Sequence, residues 1–265
     1  MNTPMSIEFL ADDNPLYVLP FFEEFMKNYA GEFVIHRISA CRPMGKRSRV
    51  QLLKQLTALY GLPGMARILM RFAIARCLGT FPKQRSAKHF YSLNQLCRAY
   101  GVIYSRTKDP NSQEFRKGLL ERRSDLLISV ACPFILKTPL LNTPPLGCIN
   151  IHHAPLPRYK GMMPTFWQMF NKERKVGLTI HYMEEKIDAG RAILQDELEI
   201  EPQESLDHLI KRAKQHAAHC MARALRQISQ NKHVPIPIIT TGSTYFTFPT
   251  YAQMAEFRRR GLRAL

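Results

Sequence analysis

Short apolar runs alternate with stretches of helical spacing along most of this chain. Runs with period two, or with no polar interruption, predict strands at 6–10, 33–38, 102–104, 125–130, 148–151, 176–182 and 192–198. Apolar residues spaced three and four apart predict helices at 19–29, 50–60, 65–78, 90–100, 111–122 and 205–230. The run at 125–130 is nearly continuous, which is typical of a strand deep in a parallel sheet. This alternation predicts an α/β fold with a mostly parallel sheet flanked by helices.

The segment 42–90 interrupts that order. It begins as a basic loop over 42–49 and continues as two helices that a break at 61–64 separates, so we expect an inserted basic helical hairpin. Between Glu32 and Asp109 the chain has fifteen Lys or Arg and no acidic residue. The segment is either an ordinary packed hairpin, or a basic and apolar surface for an anionic membrane or a lipid-linked substrate, or a tRNA-binding surface.

Composition favours a protein of the cytoplasm. The 265 residues are 45% hydrophobic, and the six cysteines form no CxxC pair, so they are expected to be reduced thiols. No apolar run reaches eighteen residues, and no signal peptide is visible at the N-terminus. The net charge of +17 attracts anions and allows peripheral contact with the inner face of a membrane.

Candidate chemistry concentrates at 147–194. The strand at 148–151 runs into His152, and two prolines at 155 and 157 then prevent the sheet from continuing. Asn150 and His152 are two residues apart, so both lie on one face where the strand ends. A later strand leads into the loop around Asp188 and Gly190. An amide, an imidazole and a carboxylate at the carboxyl edge of a sheet suit acyl transfer to an amine.

A longer ordered pattern surrounds these residues. It comprises Asn150-x-His152, Leu156-Pro157, Tyr159-Lys160-Gly161, Pro164, Trp167, Gly177-x-Thr179-Ile180-His181 and Asp188-x-Gly190. The pattern resembles that of the 10-formyltetrahydrofolate-dependent formyltransferases, although Ala154, Pro155 and Lys186 replace the Ser, Leu and Gly usual there.

The resemblance implies a Rossmann-like sheet, a folate co-substrate, no metal, and roles for individual residues. The catalytic set would be Asn150, His152 and Asp188. Folate would be bound by Ser129, Val130, Ala131, Cys132, Phe134, Ile135, Ile187 and Gly190. The acceptor would be bound by Pro157, Tyr159, Lys160, Gly161 and His181.

The expected domain order is a catalytic domain over 1–200 and a C-terminal helix and tail over 201–265, with too few residues for a full β-barrel domain. The expected reaction moves a formyl group from 10-formyltetrahydrofolate to a primary amine, first of all that of a nucleotide- or lipid-linked amino sugar. A methionyl-tRNA formyltransferase, a hydrolase of the same donor and an inactive folate- or anion-binding module are the alternatives.

For four further residues the sequence indicates no catalytic role. Trp167 is expected in the core and His153 in a loop without a role. His216 and His219 lie three apart near Cys220, but no further ligand at metal spacing is visible, so no metal site is predicted.

Overall fold

The computed structural model describes residues 4–41, 48–231, 234–239 and 241–265. Its strands are β1 (Ser6–Asp12), β2 (Val34–Cys41), β3 (Ile103–Thr107), β4 (Leu126–Val130), β5 (Cys148–His152), β6 (Lys160–Gly161), β7 (Lys175–Tyr182), β8 (Ala192–Glu199) and β9 (Tyr245–Phe246). Its helices are α1 (Leu19–Tyr29), α2 (Arg49–Leu78), α3 (Leu93–Tyr100), α4 (Gln113–Glu121), α5 (Thr138–Leu141), α6 (Pro164–Phe170), α7 (Leu206–Ser229) and α8 (Tyr251–Arg259).

Seven strands form one sheet in the order β3-β2-β1-β4-β5-β7-β8. The first five run parallel, whereas β7 and β8 are antiparallel to their neighbours. Every residue of β4 is buried, as its continuous apolar sequence predicts. The predicted α/β fold with a mostly parallel, helix-flanked sheet is therefore confirmed.

Helices cover both faces of the sheet because successive strand residues point to opposite sides. Phe9 packs into a cluster with Phe21, Phe22 and Phe25 of α1, which also contains one face of α7. Its neighbour Leu10 packs on the other side, with residues of α4 and α5. The helix predicted at 205–230 thus contributes to the main core, and Ser205 caps it as expected, accepting a hydrogen bond from the amide of His208. The predicted boundary at residue 200 remains a prediction.

The inserted segment is helical, but its break is shorter than predicted. Within α2 only Gly61 leaves helical geometry, with φ +69° and ψ 171°. Pro63 then lies in the first turn of the second half, where its missing N–H costs no hydrogen bond. The basic loop predicted at 42–49 falls largely outside the described residues. No described helix has the length and apolar character needed to cross a bilayer.

Sequence analysis missed the packing of the C-terminal tail. β9 pairs with β6, and α8 begins with a capping box between Thr250 and Gln253, a signal that the T-x-x-Q spacing carries. Trp167 lies in the cluster that joins α6 to α8, and its indole N–H donates to the carbonyl of Thr247. Its predicted place in the core is confirmed.

Candidate active site

Asn150 and His152 lie on the same face at the carboxyl end of β5, as their spacing predicts. The antiparallel partner β7 pairs Asn150 with His181 and His152 with Thr179. The side-chain amide of Asn150 consequently lies 3.3 Å from Nε2 of His181. The loop after β7 starts beside the first residues of β5, where the amide of Met183 donates to the carbonyl of Cys148, and folds back to bring Asp188 to His152.

The carboxylate of Asp188 lies between two imidazole rings. Its Oδ2 is 3.6 Å from Nδ1 of His152, and its Oδ1 is 3.8 Å from Nε2 of His181. The backbone amide of Gly161 donates to Oδ2 at 3.0 Å, and the Asp188 side chain is only 9% exposed. Asp188 adopts φ +49°, a conformation that Asp tolerates better than most residues. The three residues predicted as the catalytic set are thus brought together.

Two acceptors hold the ring of His152. Nε2 lies 2.8 Å from the carbonyl oxygen of Tyr159, and Nδ1 faces the carboxylate of Asp188. A doubly protonated imidazole satisfies both positions because each nitrogen then carries a hydrogen. The ring is buried, so its orientation is set by the protein and not by solvent.

His181 is held in the neutral form, and its hydrogen bonds define the tautomer. Burial is the main cause that lowers the pKa of His181 to about 4. Its Nδ1–H donates to the carbonyl of Tyr182 at 2.9 Å, so Nε2 is left to accept from the amide nitrogen of Asn150. His181 therefore fixes which end of the Asn150 amide points across β5.

Comparisons with known proteins identify the family. The model of the formyl transferase family matches residues 81–225, more than half of the 265 residues. The chain belongs to the formyl transferase family. The matched range begins just after α2, so most of the insertion predicted at 42–90 lies before it.

Curated relatives of the chain include methionyl-tRNA formyltransferases. The chain is 39% identical over 126 residues to that of Syntrophus aciditrophicus, covering 47% of this chain and 39% of the relative. It is 31% identical over 165 residues to that of Kosmotoga olearia, covering 62% of this chain and 53% of the relative. The alignments therefore span about half, or less, of these relatives' length.

Solved structures of formyltransferases share the fold. A sugar N-formyltransferase from Shewanella sp FDAARGOS_354 aligns with TM-score 0.56 and 19% identity, over 93% of this chain and 78% of that one. A phosphoribosylglycinamide formyltransferase from Anaplasma phagocytophilum aligns with TM-score 0.60 and 15% identity, over 93% and 100%. At these identities the likeness concerns the fold alone.

The residues predicted to bind folate lie in two neighbouring segments of the chain. Ser129 and Val130 are buried at the end of β4, and Ala131 turns the chain with φ +55°. Ile135 in the first segment and Ile187 in the second are 58% and 43% exposed. Cys132 and Phe134 pack partly into the core beside α5, and Gly190 is required because a Cβ there would lie 1.8 Å from the carbonyl oxygen of Tyr182.

Glu185 joins the two segments. Its carboxylate accepts from the backbone amide and the hydroxyl of Thr138, at the start of α5. The loop that carries Ile187 and Asp188 is thereby tied to the segment that follows β4.

Among the residues predicted to bind the acceptor, Tyr159 and Gly161 contact the catalytic residues through their backbones. Pro157 lies within the turn at 156–159, and its carbonyl accepts from the amide of Thr244. Tyr159 is buried against Phe246, and its hydroxyl donates to Glu173 at 2.7 Å. Lys160 is only 6% exposed. In this arrangement the backbones of Tyr159 and Gly161, which hold His152 and Asp188, contribute more than their side chains.

Sequence reasoning missed a cavity at the carboxyl ends of β1, β2 and β3. It has a volume of about 360 Å³ and is lined by Asp12, Asp13, Asn14, Ala40, Cys41, Phe72 and Arg106. Asp12 is the last residue of β1, and β1 lies two strands from β5, which carries His152. At the usual strand spacing the two strands are about 10 Å apart. The polar triplet after the first strand was the available signal.

Buried charges underlie this cavity. Burial, aided by the charge of Asp13, raises the pKa of Asp12 to about 6, while burial lowers the pKa of Lys214 to about 8. His153, expected to be a loop residue without a role, is buried next to this pair. Burial holds its pKa well below 6.5, and neither ring nitrogen has a hydrogen-bond partner among the described residues. The expectation for His153 was therefore incomplete.

Proposed function

We propose that this protein transfers a formyl group from 10-formyltetrahydrofolate to a primary amine. The observation that carries the proposal is the convergence of Asn150, His152 and Asp188 at the carboxyl edge of the sheet. Family membership supports the reaction class, and folate enters as co-substrate beside the segments of Ile135 and Ile187.

The geometry supports a role for each group. The amine nitrogen attacks the formyl carbon, and the carbonyl oxygen becomes an oxyanion. Asn150 uses one amide hydrogen on His181 and offers the second to the oxyanion, which protonated His152 also stabilises. Asp188 keeps His152 charged and takes a proton from the attacking amine. When the intermediate collapses, the carbon–nitrogen bond to the folate breaks, and the proton that Asp188 took from the amine passes to the leaving nitrogen.

A small amino compound is the acceptor class that we favour. The cavity beside Asp12 and Asp13 is of the size of a small-molecule site, and Asp12 offers a carboxylate to an amino compound there, whereas Asp13 pairs with Arg106. Phe72 of α2 gives it one apolar wall, against which a sugar ring can pack. Sugar N-formyltransferases are among the proteins with the same fold.

An anionic carrier on that sugar would meet the surface of α2. A groove of about 980 Å³ between α2 and α8 combines Leu53, Leu62 and Tyr251 with Lys54, Arg258 and Arg259. Apolar and basic side chains side by side suit a carrier with phosphate and apolar parts, such as a nucleotide or a lipid diphosphate. Methionyl-tRNA is the second candidate because the curated relatives carry that name.

A comparison of candidate acceptors tests the proposal. The purified protein, with 10-formyltetrahydrofolate, would be offered nucleotide-linked amino sugars, a lipid diphosphate amino sugar and methionyl-tRNA in parallel. We expect an N-formyl product with an amino sugar. Formylation of methionyl-tRNA alone would favour the second candidate, and formate release without acceptor would identify a hydrolase. Folate binding without any product would identify an inactive binding module.

A further inference from the structure

A second cluster of reactive side chains joins the edge strand β8 to helix α7. It consists of Asp196 on β8 and of His216 and Cys220 on α7. The two α7 residues are four positions apart, so they lie on one face of the helix, one turn from each other. The sequence of the helix places both His216 and His219 near Cys220 but shows no further ligand at metal spacing. His219 instead bonds the hydroxyl of Tyr29 and pairs with Glu24.

The three potential ligand atoms are close to one another. Sγ of Cys220 lies 3.5 Å from Nε2 of His216 and 3.4 Å from Oδ2 of Asp196, and Nε2 lies 3.7 Å from Oδ2. In a tetrahedral zinc site, bonds of about 2.0–2.3 Å place neighbouring ligand atoms about 3.3–3.6 Å apart. A zinc ion at the centre of this triangle therefore needs only small side-chain movements.

We propose that Asp196, His216 and Cys220 form a three-ligand site for Zn²⁺, with a water molecule as the fourth ligand. Among the biological divalent ions, zinc is the one that a set of thiolate, imidazole and carboxylate ligands suits best. The Asp196 and His216 side chains are 27% and 29% exposed, so the fourth position opens to solvent, whereas Cys220 is buried. Zinc replaces the thiol hydrogen that now points to Asp196, and one proton leaves to solvent.

The surroundings orient the carboxylate. Oδ1 of Asp196 accepts from the backbone amide of Glu197 at 2.8 Å, which leaves Oδ2 turned toward His216 and Cys220. A hydrogen bond of this kind behind a metal ligand fixes its orientation.

Arg223 is the group that competes with the metal. Its Nη1 lies 2.6 Å from Oδ2 of Asp196, and its side chain is 55% exposed, so it can swing into solvent when zinc arrives. A second cluster, at Glu201, Glu204 and His208, differs in this respect. There Arg212 holds the buried Glu204 through two hydrogen bonds, and no thiol is present. That cluster carries no proposal.

Zinc and cobalt titrations of the full chain test the site. After treatment with a chelator, the protein would be titrated with Zn²⁺ in competition with a chromophoric zinc indicator, and separately with Co²⁺. We expect one equivalent of zinc, a rise in melting temperature on binding, and a Co²⁺ spectrum with a thiolate charge-transfer band in the near ultraviolet.

Four variants make the test specific. Cys220→Ser and His216→Ala should each lower zinc affinity at least about tenfold, and Cys220→Ser should abolish the charge-transfer band. His219→Ala, three residues from His216 on the same helix, is the matched control and should bind zinc as the parent does. Arg223→Gln should bind zinc more tightly, because the competing charge is gone.

Several results would overturn the proposal. These are less than one equivalent of zinc bound by the parent, equal affinities of the His216→Ala and His219→Ala proteins, or a Co²⁺ spectrum without a thiolate band. His216 is partly exposed, so its variant decides the matter even where Cys220→Ser does not fold. All readouts are binding measurements, so they are independent of the proposed formyl transfer.

Discussion

Oδ2 of Asp188 lies 3.6 Å from Nδ1 of His152, although the two residues belong to different strands and loops. The pair forms because β7 lies antiparallel beside β5, and the loop after β7, which starts beside the first residues of β5, folds back to His152, the last residue of β5. The amide of Gly161 holds the carboxylate in place, and Gly161 itself has φ +94°, where a side chain would be strained.

Alanine substitutions at this cluster should reduce turnover without unfolding the protein. Asn150→Ala, His152→Ala and Asp188→Ala should each lower kcat about 100-fold or more, the usual effect of losing an oxyanion or proton-transfer group. Steady-state kinetics and melting temperatures would be measured together. Near-normal kcat in any folded variant would remove that residue from the set, and His219→Ala should leave kcat unchanged.

His181 should make stability depend on pH. Its pKa in the folded state, about 4, lies below the ordinary 6.5. The unfolded chain therefore binds a proton more readily, so this contribution to stability is lost as pH falls from about 6.5 to 4, by up to about 3 kcal/mol.

Replacement of His181 isolates that contribution. The His181→Gln protein, whose amide oxygen can still accept from Asn150, should lose less stability over the same pH range. Denaturant unfolding of both proteins at several pH values measures the difference. Parallel curves for the two proteins would contradict the assignment of a buried neutral His181.

A folate analogue should stabilise the protein through the segments of Ile135 and Ile187. A non-transferable analogue at 100 times its Kd should add about 2.7 kcal/mol to the free energy of unfolding and raise Tm. Ile135→Ser should weaken binding, whereas Ile103→Ser, with a similar exposure of 51% on the edge strand β3, should not. An unchanged Tm at saturating analogue would count against folate as co-substrate.

Phe72 should contribute to binding of the acceptor and not to binding of folate. Phe72→Ala removes one wall of the cavity beside Asp12, so KM for the acceptor should rise several-fold while the Kd of the folate analogue stays constant. Met70→Ala is the matched control, because Met70 is 57% exposed on the same helix and does not line the cavity. Equal KM values for the two variants would place the acceptor elsewhere.

Charge reversal on the basic surface of α2 should show whether the group that carries the acceptor amine is a lipid, a nucleotide or tRNA. Arg71 pairs with Asp207 at 3.0 Å and is part of the fold, so the charges to reverse are the exposed Arg67 and Arg76. With a lipid-linked acceptor, these reversals should weaken binding to anionic vesicles in a salt-sensitive way, by about 1 kcal/mol per residue.

A nucleotide or tRNA carrier predicts different results. For tRNA we expect a steep dependence of the binding constant on salt and no preference for vesicles. Vesicle flotation and tRNA gel shifts on one preparation compare the two. Unchanged behaviour of the reversed protein in both assays, and in KM, would leave the segment a structural element only.

The features of this molecule that the sequence predicts are those that depend on local patterns of apolar and polar residues. The seven strands of the main sheet follow from apolar periodicity, and the shared face of Asn150 and His152 follows from the two-residue repeat of a strand. The strand before the Asp188 loop indicated a carboxylate near the site, but the contact of Asp188 with His152 carries no local signal, because it depends on the pairing of β5 with β7.

Other features depend on contacts between distant segments and carry no local signal. Asp196 approaches Cys220 only because β8 packs beside α7. Phe72 reaches the cavity at Asp12 only because α2 folds back over the ends of β1 and β2. Gly61 indicated a break, but whether one residue or four would leave the helix depended on how α2 packs against α8.

Transfer of isotope from 10-formyltetrahydrofolate, labelled in the formyl carbon, tests the central claim most directly. The parent and the His152→Ala protein would be incubated with the labelled donor and a nucleotide-linked amino sugar, and the products separated by mass spectrometry. We expect the parent to place the label in an amide of the sugar, with equimolar tetrahydrofolate, and His152→Ala to do so about 100-fold more slowly. Label that remains in the donor, or appears only as formate, or reaches the sugar equally fast with both proteins, would contradict formyl transfer at the Asn150, His152 and Asp188 site.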